Sequence, residues 1–451
     1  MKRLLKLIIT ISVITLAITA CSGDDTTTYA PSDVTSIPTL TQPDAPNLSE
    51  STDTDSDLSS EDAASPTESL PSLDVSTSDD AESEGVHRDP STPSPTAPSE
   101  PVREVFNQQQ QQGNIAAGQL TAGEWNDNNN PEIIRALMQV NNHFRVFENR
   151  WRLNLSQQIT ITVNDGNIPV NNARVELLDG NMNIIHSAVT NNQGVAFLFN
   201  NIRDNQATPQ FVRAINASGQ DLQIFDPGVA NYTFTLAAQQ IQKSLDLMFV
   251  VDTTGSMGDE LRYLQAELTD IVRQVQSQHD NLDLRLSVVV YRDFCCDFLV
   301  RSVPFSHNIS NQIDFLNDQR AAQGGDWEEA VHAGLSEALE QHDWRENSTA
   351  RLIFLVLDAP PHHTGYIPDE IHRLMLLASD MGVRIIPVAS SGIDTVSEFL
   401  FRSFAKLTGG TYVFLTSHSG IGAGHIDPTV GSYDVRLLNA LLVEIINRYL
   451  V

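Results

Sequence analysis

The sequence predicts a multidomain chain in which a disordered N-terminal tail precedes an all-β sandwich and an α/β doubly wound domain. Three observations lead to this prediction. Residues 21–100 are rich in Ser, Thr, Pro and acidic side chains and poor in apolar ones. Apolar and polar residues then alternate through residues 152–240. Finally, apolar runs of strand length alternate with helical patterns through residues 244–451.

The chain is strongly acidic. Its 451 residues include 57 Asp and Glu against 27 Lys and Arg, which gives a formal net charge of −30. Nucleic-acid binding requires a basic surface, so no nucleic-acid partner is expected. The length is sufficient for two or three domains with apolar cores.

Residues 1–20 have the pattern of a secretory signal. Three basic residues among the first six precede an uncharged apolar run that is too short for a usual membrane span. With Cys21 after this run, the segment resembles the lipobox of bacterial lipoproteins, which implies that Cys21 is lipidated. The alternative is an ordinary secretory peptide with a chance cysteine. The resemblance implies an extracytoplasmic protein that contacts the membrane through its lipid only, in the outer membrane if the envelope is Gram-negative.

Residues 21–100 are predicted to be a disordered acidic tether. From Ser22 to Glu100 there are 29 Ser or Thr, 10 Pro and 18 acidic residues, with a single Arg and no Lys. Such a segment cannot bury enough apolar surface to offset its ordering entropy. We interpret it as a solvated spacer that holds the folded part away from the lipid. A recognition segment is the alternative.

Residues 101–151 are predicted to form a linker and a helix. One apolar helix face contains Ile133, Leu137, Val140, Phe144, Phe147 and Trp151. Just before it, Gln119–Asp127 resembles a segment found ahead of sandwich and metal-binding domains in some bacterial surface proteins. This segment is predicted to dock the helix onto the next domain.

Residues 152–240 are predicted to form the sandwich. The alternating apolar sets are Ile159, Ile161 and Val163; Ala173, Val175 and Leu177; Ile185, Ser187 and Val189; Val195, Phe197 and Phe199; and Tyr232, Phe234 and Leu236. The region resembles the Ig-like or carboxypeptidase-regulatory-type sandwiches of bacterial surface proteins. The expected role is that of a rigid stalk, with ligand binding as the alternative.

The α/β pattern of residues 244–451 places two acidic residues at strand ends. Predicted buried strands cover Leu245–Val251, Leu284–Val290, Leu352–Leu357, Val383–Val388 and Thr411–Leu415. Ligands of such sheets bind beyond the carboxyl ends of the parallel strands. Asp252 and Asp358 both fall at such ends, and a helix is predicted over Val435–Tyr449.

The residues after the first of these strands point to a metal site. Asp252, Thr254 and Ser256 offer a carboxylate and two hydroxyls, which are the hard oxygen ligands that suit Mg²⁺, Mn²⁺ or Ca²⁺. The pattern resembles the metal-ion-dependent adhesion site of von Willebrand factor type A (vWA) domains, a doubly wound, Rossmann-like fold. That resemblance makes Asp358 the last acidic residue of the site. For Ser256, an alternative role is to cap the following helix.

The family's third ligand is a threonine in the loop before a central helix. This chain has Gly324-Gly325-Asp326-Trp327-Glu328-Glu329-Ala330 there, which resembles the Gly-Gly-Asp-x-Pro-Glu variant of that loop. Asp326 is the candidate ligand, with the N-cap of a helix starting at Trp327 as the alternative. An extra anionic ligand predicts firmer metal retention and weaker capture of an acidic ligand.

Other residues are predicted to lie near this site. Asp293, Trp327 and His362 are candidates for the rim that contacts a ligand. Cys295 and Cys296 are adjacent, so they form a strained disulfide, pair with another chain or remain free. A hydrolytic site would need His362 or His363 beside Ser256. Adjacent histidines on an extended segment point to opposite sides, which disfavours that alternative.

These expectations define a functional hypothesis. The chain is interpreted as a lipid-anchored adhesion or protein-interaction protein and not as an enzyme. A divalent cation, Mg²⁺ in the first place, would bind a protein partner, most simply through an acidic side chain. The alternatives are an envelope scaffold in which the ion only stabilises the fold, and a metal-dependent hydrolase.

Overall fold

The computed structural model describes residues 120–140, 148–200, 202, 207–240, 242–416 and 428–451. The predicted signal segment, Cys21, the acidic tether, Phe144 and Phe147 lie outside these residues. Within the ranges that are described, no helix has both the length and the apolar character of a membrane span.

The elements with described bounds follow in chain order. The strands are β1 (Thr121–Trp125), β2 (Gln158–Asp165), β3 (Ile168–Pro169), β4 (Arg174–Leu178), β5 (Ile184–Val189), β6 (Val195–Phe199), β7 (Phe211–Asn216), β8 (Gly219–Ile224), β9 (Asn231–Thr235), β10 (Ser244–Asp252), β11 (Asp283–Tyr291), β12 (Val300–Ser306), β13 (Ala350–Leu357), β14 (Arg384–Ala389), β15 (Tyr412–Thr416) and β16 (Arg436–Leu437). The helices are α1 (Pro131–Val140), α2 (Gly258–Gln278), α3 (Ile309–Asn317), α4 (Val331–Glu340), α5 (Ile367–Met381), α6 (Thr395–Thr408) and α7 (Leu438–Arg448).

A mixed eight-stranded sheet forms the centre of the α/β domain. Its strand order is β12-β11-β10-β13-β14-β15-β1-β16. Strands β11, β10, β13, β14 and β15 are parallel, whereas β12 and β1 pair antiparallel with their neighbours. One face packs on an apolar cluster with α2, α3 and α7, and the other on a cluster with α4, α5 and α6. Both faces are therefore covered, as the continuous apolar strands require.

Strand β1 belongs to this sheet although it precedes the sandwich region in sequence. It pairs with β15, where Thr121 faces Thr416, and with β16. Residues 101–151 are predicted to form a linker and a helix. The structure instead pairs residues 121–125 of this segment with β15 and β16, so these residues belong to the sheet of the α/β domain.

Side-chain contacts explain where residues 121–127 lie in the α/β domain. A Cβ atom at Gly123 would lie 2.5 Å from the Phe414 ring, so only glycine allows this close packing. Asp127 is buried and accepts two hydrogen bonds, of 2.8 and 2.7 Å, from the buried guanidinium of Arg402. The Trp125 indole donates to the same carboxylate at 2.9 Å.

Residues between β1 and β10 form two four-stranded sheets. One has the order β3-β2-β6 with β9 beside β2, and the other has the order β5-β4-β7-β8. Alternate residues of both sheets share an apolar cluster, including Ile161, Val175 and Phe234. We call this the two-sheet domain. It is inserted within the α/β domain and is not in series before it, which differs from the stalk expected from the sequence.

The apolar residues of β6 face the opposite way from the prediction. Ala196 and Leu198 point into the two-sheet cluster, whereas Phe199 belongs to the α/β cluster and Phe197 packs against it. The reason is that β6 is covered on both faces, so the larger side chains of its alternating pattern mark the contact with the α/β domain.

Buried polar bonds also join the two domains. Arg384 donates to the Val189 carbonyl at 2.5 Å and to the Thr408 carbonyl at 2.9 Å. The Asn172 amide donates to the Ser348 carbonyl at 2.7 Å and accepts from Arg351 at 2.8 Å. The contact between the domains is therefore specific as well as apolar.

Candidate metal centre at the strand ends

Two buried carboxylates meet at one edge of the eight-stranded sheet. Strands β10 and β13 are adjacent and parallel, with Val251 opposite Val356. Asp252 is the last residue of β10 and Asp358 directly follows β13. Their side chains are fully and almost fully buried.

The turn after β10 places two hydroxyls beside these carboxylates. Asp252 Oδ1 accepts hydrogen bonds from the Thr254 backbone N–H at 2.8 Å and from the Thr254 hydroxyl at 2.7 Å. The Thr254 and Ser256 hydroxyl oxygens are 3.5 Å apart. Ser256 also interacts with the Asp358 carboxylate and opposes the rise of its pKa on burial. The structure thus brings together four of the five predicted metal ligands.

Ser256 does not serve as a helix cap. It lies in a 3₁₀ turn, Gly255–Met257, and α2 begins after it at Gly258. Met257 occupies the N-cap position and makes no side-chain capping bond.

The two carboxylates are not electrically compensated by the described part of the chain. Asp252 Oδ2 and Asp358 Oδ1 are buried and have no hydrogen-bond partner there. Burial, followed by the charge of Asp358, raises the pKa of Asp252 to about 7. Burial also raises the pKa of Asp358, while the Ser256 bond opposes that rise. Buried anionic oxygens without partners fit a site that holds a cation.

The loop before α4 differs from the sequence prediction. Helix α4 begins at Val331, with Ala330 as its N-cap, so Asp326 does not cap a helix starting at Trp327. Asp326 is exposed. The loop has positive φ angles at Gln323 (65°) and Gly324 (96°).

Glu329 is the buried acidic residue of this loop, and the sequence analysis did not select it. It is 4% exposed, and its Oε2 has no hydrogen-bond partner within the described ranges. Burial, followed by the charges of Asp252 and Asp293, raises the pKa of Glu329 to about 9. The available signal was its place directly before the apolar start of α4.

The predicted rim residues gather with Asp326. Ligand atoms of Asp293, Asp326 and His362 all lie within 4.8 Å of one another, which makes this group a possible Asp/Asp/His cation site. His362 Nε2 is 2.7 Å from Asp293 Oδ1, and its Nδ1 is 3.6 Å from Glu328. Asp293 is buried and Asp326 is exposed.

Exposed aromatic side chains complete the rim. Trp327, one of the predicted rim residues, is 44% exposed. Phe294 is 56% exposed, and its ring centroid is 5.4 Å from that of His362. Sequence analysis did not select Phe294, because a single aromatic residue after a strand carries no pattern.

Among the described residues, the Ser256 hydroxyl has a hydrogen bond with Thr254 and none with a histidine. Both ring nitrogens of His362 face carboxylates, and His363 bonds to Glu328. A serine nucleophile is activated by a general base within hydrogen-bond reach.

The two adjacent thiols lie against the loop that carries Glu329. Cys295 and Cys296 are free, with their sulfur atoms 3.7 Å apart. The Gly324 backbone N–H donates to Cys296 Sγ at 3.3 Å. The bond to Cys296 raises the pKa of the Cys295 thiol.

Comparison with known proteins identifies two relatives that match part of this chain. An ariadne-like RING finger protein of Acanthamoeba polyphaga mimivirus is 29% identical over 192 residues, which is 39% of this chain and 19% of that protein. The alpha-protein kinase vwkA of Dictyostelium discoideum is 30% identical over 138 residues, 29% of this chain and 21% of the kinase. The chain thus spans about a fifth of the length of each relative. The names of these relatives argue against the expectation that this chain is not an enzyme. Each match, however, covers only part of the chain.

A family profile matches the α/β domain. The von Willebrand factor A domain family matches residues 246–417, which run from near the start of β10 to just beyond β15. Domains of this family often bind a divalent metal, and the Asp252 turn lies within the match. Residues 246–417 therefore form a von Willebrand factor A domain.

Proposed function

We propose that this chain is a lipid-anchored, extracytoplasmic interaction protein whose vWA domain binds a protein partner through a divalent cation. The vWA domain supports the interaction role. The observation that carries the metal proposal is the pair of buried, unpartnered oxygens of Asp252 and Asp358 beside two hydroxyls. The basis of the anchoring proposal is Cys21 after its apolar run.

The residues present fit a hard divalent cation. Asp252 and Asp358 would supply anionic oxygens, and Thr254 and Ser256 would supply hydroxyl oxygens. This donor set suits Mg²⁺ or Mn²⁺, with Ca²⁺ as a further alternative. When bound, the ion supplies a coordination position for an oxygen of the partner. Trp327, Phe294 and His362 would contact the partner around it.

The proposed role of the site is binding and not catalysis. His362 Nε2 bonds to Asp293 at 2.7 Å and its Nδ1 lies 3.6 Å from Glu328, so both ring nitrogens face carboxylates. The kinase among the relatives matches over 21% of its own length, so its activity is not transferred to this chain.

Thermal unfolding of the full chain tests the metal site. We expect Mg²⁺ or Mn²⁺ to raise the melting temperature relative to EDTA, because a ligand that binds the native state stabilises it. Asp252→Asn should remove this response. Asp259→Asn, which changes an exposed carboxylate on α2, is the matched control and should retain it. A wild-type protein without a metal response would refute the proposed site.

A second measurement distinguishes a protein that binds a partner through the ion from an envelope scaffold in which the ion only stabilises the fold. The deep burial of Asp252 favours the scaffold as a second candidate. The purified protein is incubated with isolated cell envelopes in Mg²⁺ or EDTA. Interaction predicts Mg²⁺-dependent retention that Asp252→Asn abolishes. Equal retention under all conditions, together with a metal-dependent melting temperature, would favour the scaffold.

A further inference from the structure

The loop that carries Glu329 is hydrogen-bonded to the segments that follow both strand ends of the candidate metal site. The Gly255 backbone N–H donates to the Gln323 carbonyl at 2.7 Å, and the Ala322 N–H donates to the Thr253 carbonyl at 3.1 Å. Further along the loop, the Glu329 N–H donates to the Pro360 carbonyl at 3.0 Å. The loop therefore bridges the turn after Asp252 and the segment after Asp358.

Glu329 lies inside this bridge. A Cβ atom added to Gly324 would be 3.1 Å from Glu329 Oε1 and 3.3 Å from Thr254 Cβ, so the glutamate and the threonine flank the same glycine. The carboxylate lies within electrostatic reach of Asp252 and Asp358. Its Oε2 is buried, and in the part of the chain that the structure covers it has no partner.

Asp326 has a different environment. It is exposed and lies with Asp293 and His362 on the rim. Asp252, Glu329 and Asp358, by contrast, are buried, and each has one carboxylate oxygen without a hydrogen-bond partner within the described ranges. Three such oxygens are costly to bury unless a cation lies among them.

We propose that Glu329, and not Asp326, is the third anionic side chain around the vWA cation. Because three carboxylates then compensate its charge, the ion selects a neutral oxygen of its partner. This inference rests on the proposed function. Three carboxylates exceed the charge of a divalent ion by one, and the charge of Asp293 also lies within electrostatic reach of Glu329. A carboxylate of a partner would meet net repulsion, whereas a carbonyl or hydroxyl oxygen would not.

Calorimetric titration of the metal-free full chain with Mn²⁺ tests the ligand assignment. We expect Glu329→Gln to weaken binding by about tenfold or more, and the matched variant Asp326→Asn to change it by less than about twofold. Glu329→Asp, which keeps the charge on a shorter side chain, should bind with intermediate affinity. The fold of each variant is checked by circular dichroism before titration.

The outcomes separate this inference from the proposed function. If wild-type protein binds no Mn²⁺, or binds it independently of Asp252, the proposed metal site fails. If binding depends on Asp252 but is unchanged by Glu329→Gln, only the present inference fails. A larger loss from Asp326→Asn than from Glu329→Gln would also overturn it and restore Asp326 as the ligand.

Water proton relaxation of the Mn²⁺-loaded protein tests the partner chemistry, with acetate as the probe. Acetate that entered the coordination sphere would displace water and lower the relaxation rate. We expect no effect of acetate on the wild-type protein and a decrease for Glu329→Gln, which carries one negative charge less. A decrease for the wild-type protein would overturn the proposed selectivity for a neutral oxygen.

Discussion

Asp252 is fully buried and has a neighbouring carboxylate. These two features determine the pKa of its side chain. Burial, and then the charge of Asp358, raises the pKa of Asp252 from 3.8 to about 7. A raised folded-state pKa means that the folded chain holds a proton that the unfolded chain releases. The resulting contribution to stability is complete below pH 4 and is lost as the pH rises to 7.

We therefore predict a pH-dependent difference between wild-type protein and Asp252→Asn in EDTA. Relative to the variant, the wild-type free energy of unfolding should fall by up to about 4 kcal/mol between about pH 4 and pH 7. Urea unfolding at several pH values measures this difference. A difference that does not change with pH would show that Asp252 is not buried as an uncompensated acid.

The sequence predicted some ligands of the candidate site but not the complete set. Asp252 and Asp358 were recognisable because each ends an apolar strand, and parallel strands bring such ends together. The choice between Asp326 and Glu329 depends on the backbone at Gln323 and Gly324, where φ is positive. Their spacing along the chain does not show which of the two carboxylates is buried.

At the scale of elements, β1 shows how a short segment completes a distant sheet. Gly123 packs so closely that an added Cβ atom would lie 2.5 Å from Phe414 and 2.7 Å from Tyr433. We expect Gly123→Val to lower the free energy of unfolding by about 1–3 kcal/mol through overpacking.

Urea unfolding measures this effect, with Gly228→Ala as the matched control. Gly228 lies in a turn where an added Cβ atom would meet only the Asp226 side chain, at 3.3 Å. The control should therefore change stability by less than about 0.5 kcal/mol. Equal stability of Gly123→Val and wild type would argue against the close contact of β1 with β15.

Local patterns explain which elements were predictable. The long parallel strands β10, β11 and β13 are apolar throughout and were recognised as buried. Strand β1 has five residues and pairs with residues nearly 300 positions away, which no local pattern reveals. The alternation of β6 was visible, but its inward face was not, because both faces are covered.

At the scale of the whole molecule, the two-sheet domain and the α/β domain should unfold together. Phe199 joins the apolar cluster of the α/β domain, and Arg384 bridges the domains through the Val189 carbonyl. We predict a single calorimetric transition for the described domains, with equal calorimetric and van't Hoff enthalpies. Two separate transitions would show that the domains are independent.

Arg384→Met is the informative variant for this coupling. It removes the donor to the Val189 and Thr408 carbonyls while retaining much of the side-chain volume. We expect a lower melting temperature, because buried carbonyl groups lose their partner. Arg262→Met changes an exposed arginine of α2 and should leave the transition unchanged.

The insertion of the two-sheet domain between β1 and β10 determines how mechanical force would travel through an anchored protein. Within the described residues, a pull from the N-terminal side enters at β1, which pairs with β15 and β16. The two-sheet domain is attached to the α/β domain at both ends of its own segment, because β1 precedes it and β10 follows it. The backbone hydrogen bonds of one five-residue strand would thus set the force at which the protein yields, a value that single-molecule pulling can measure.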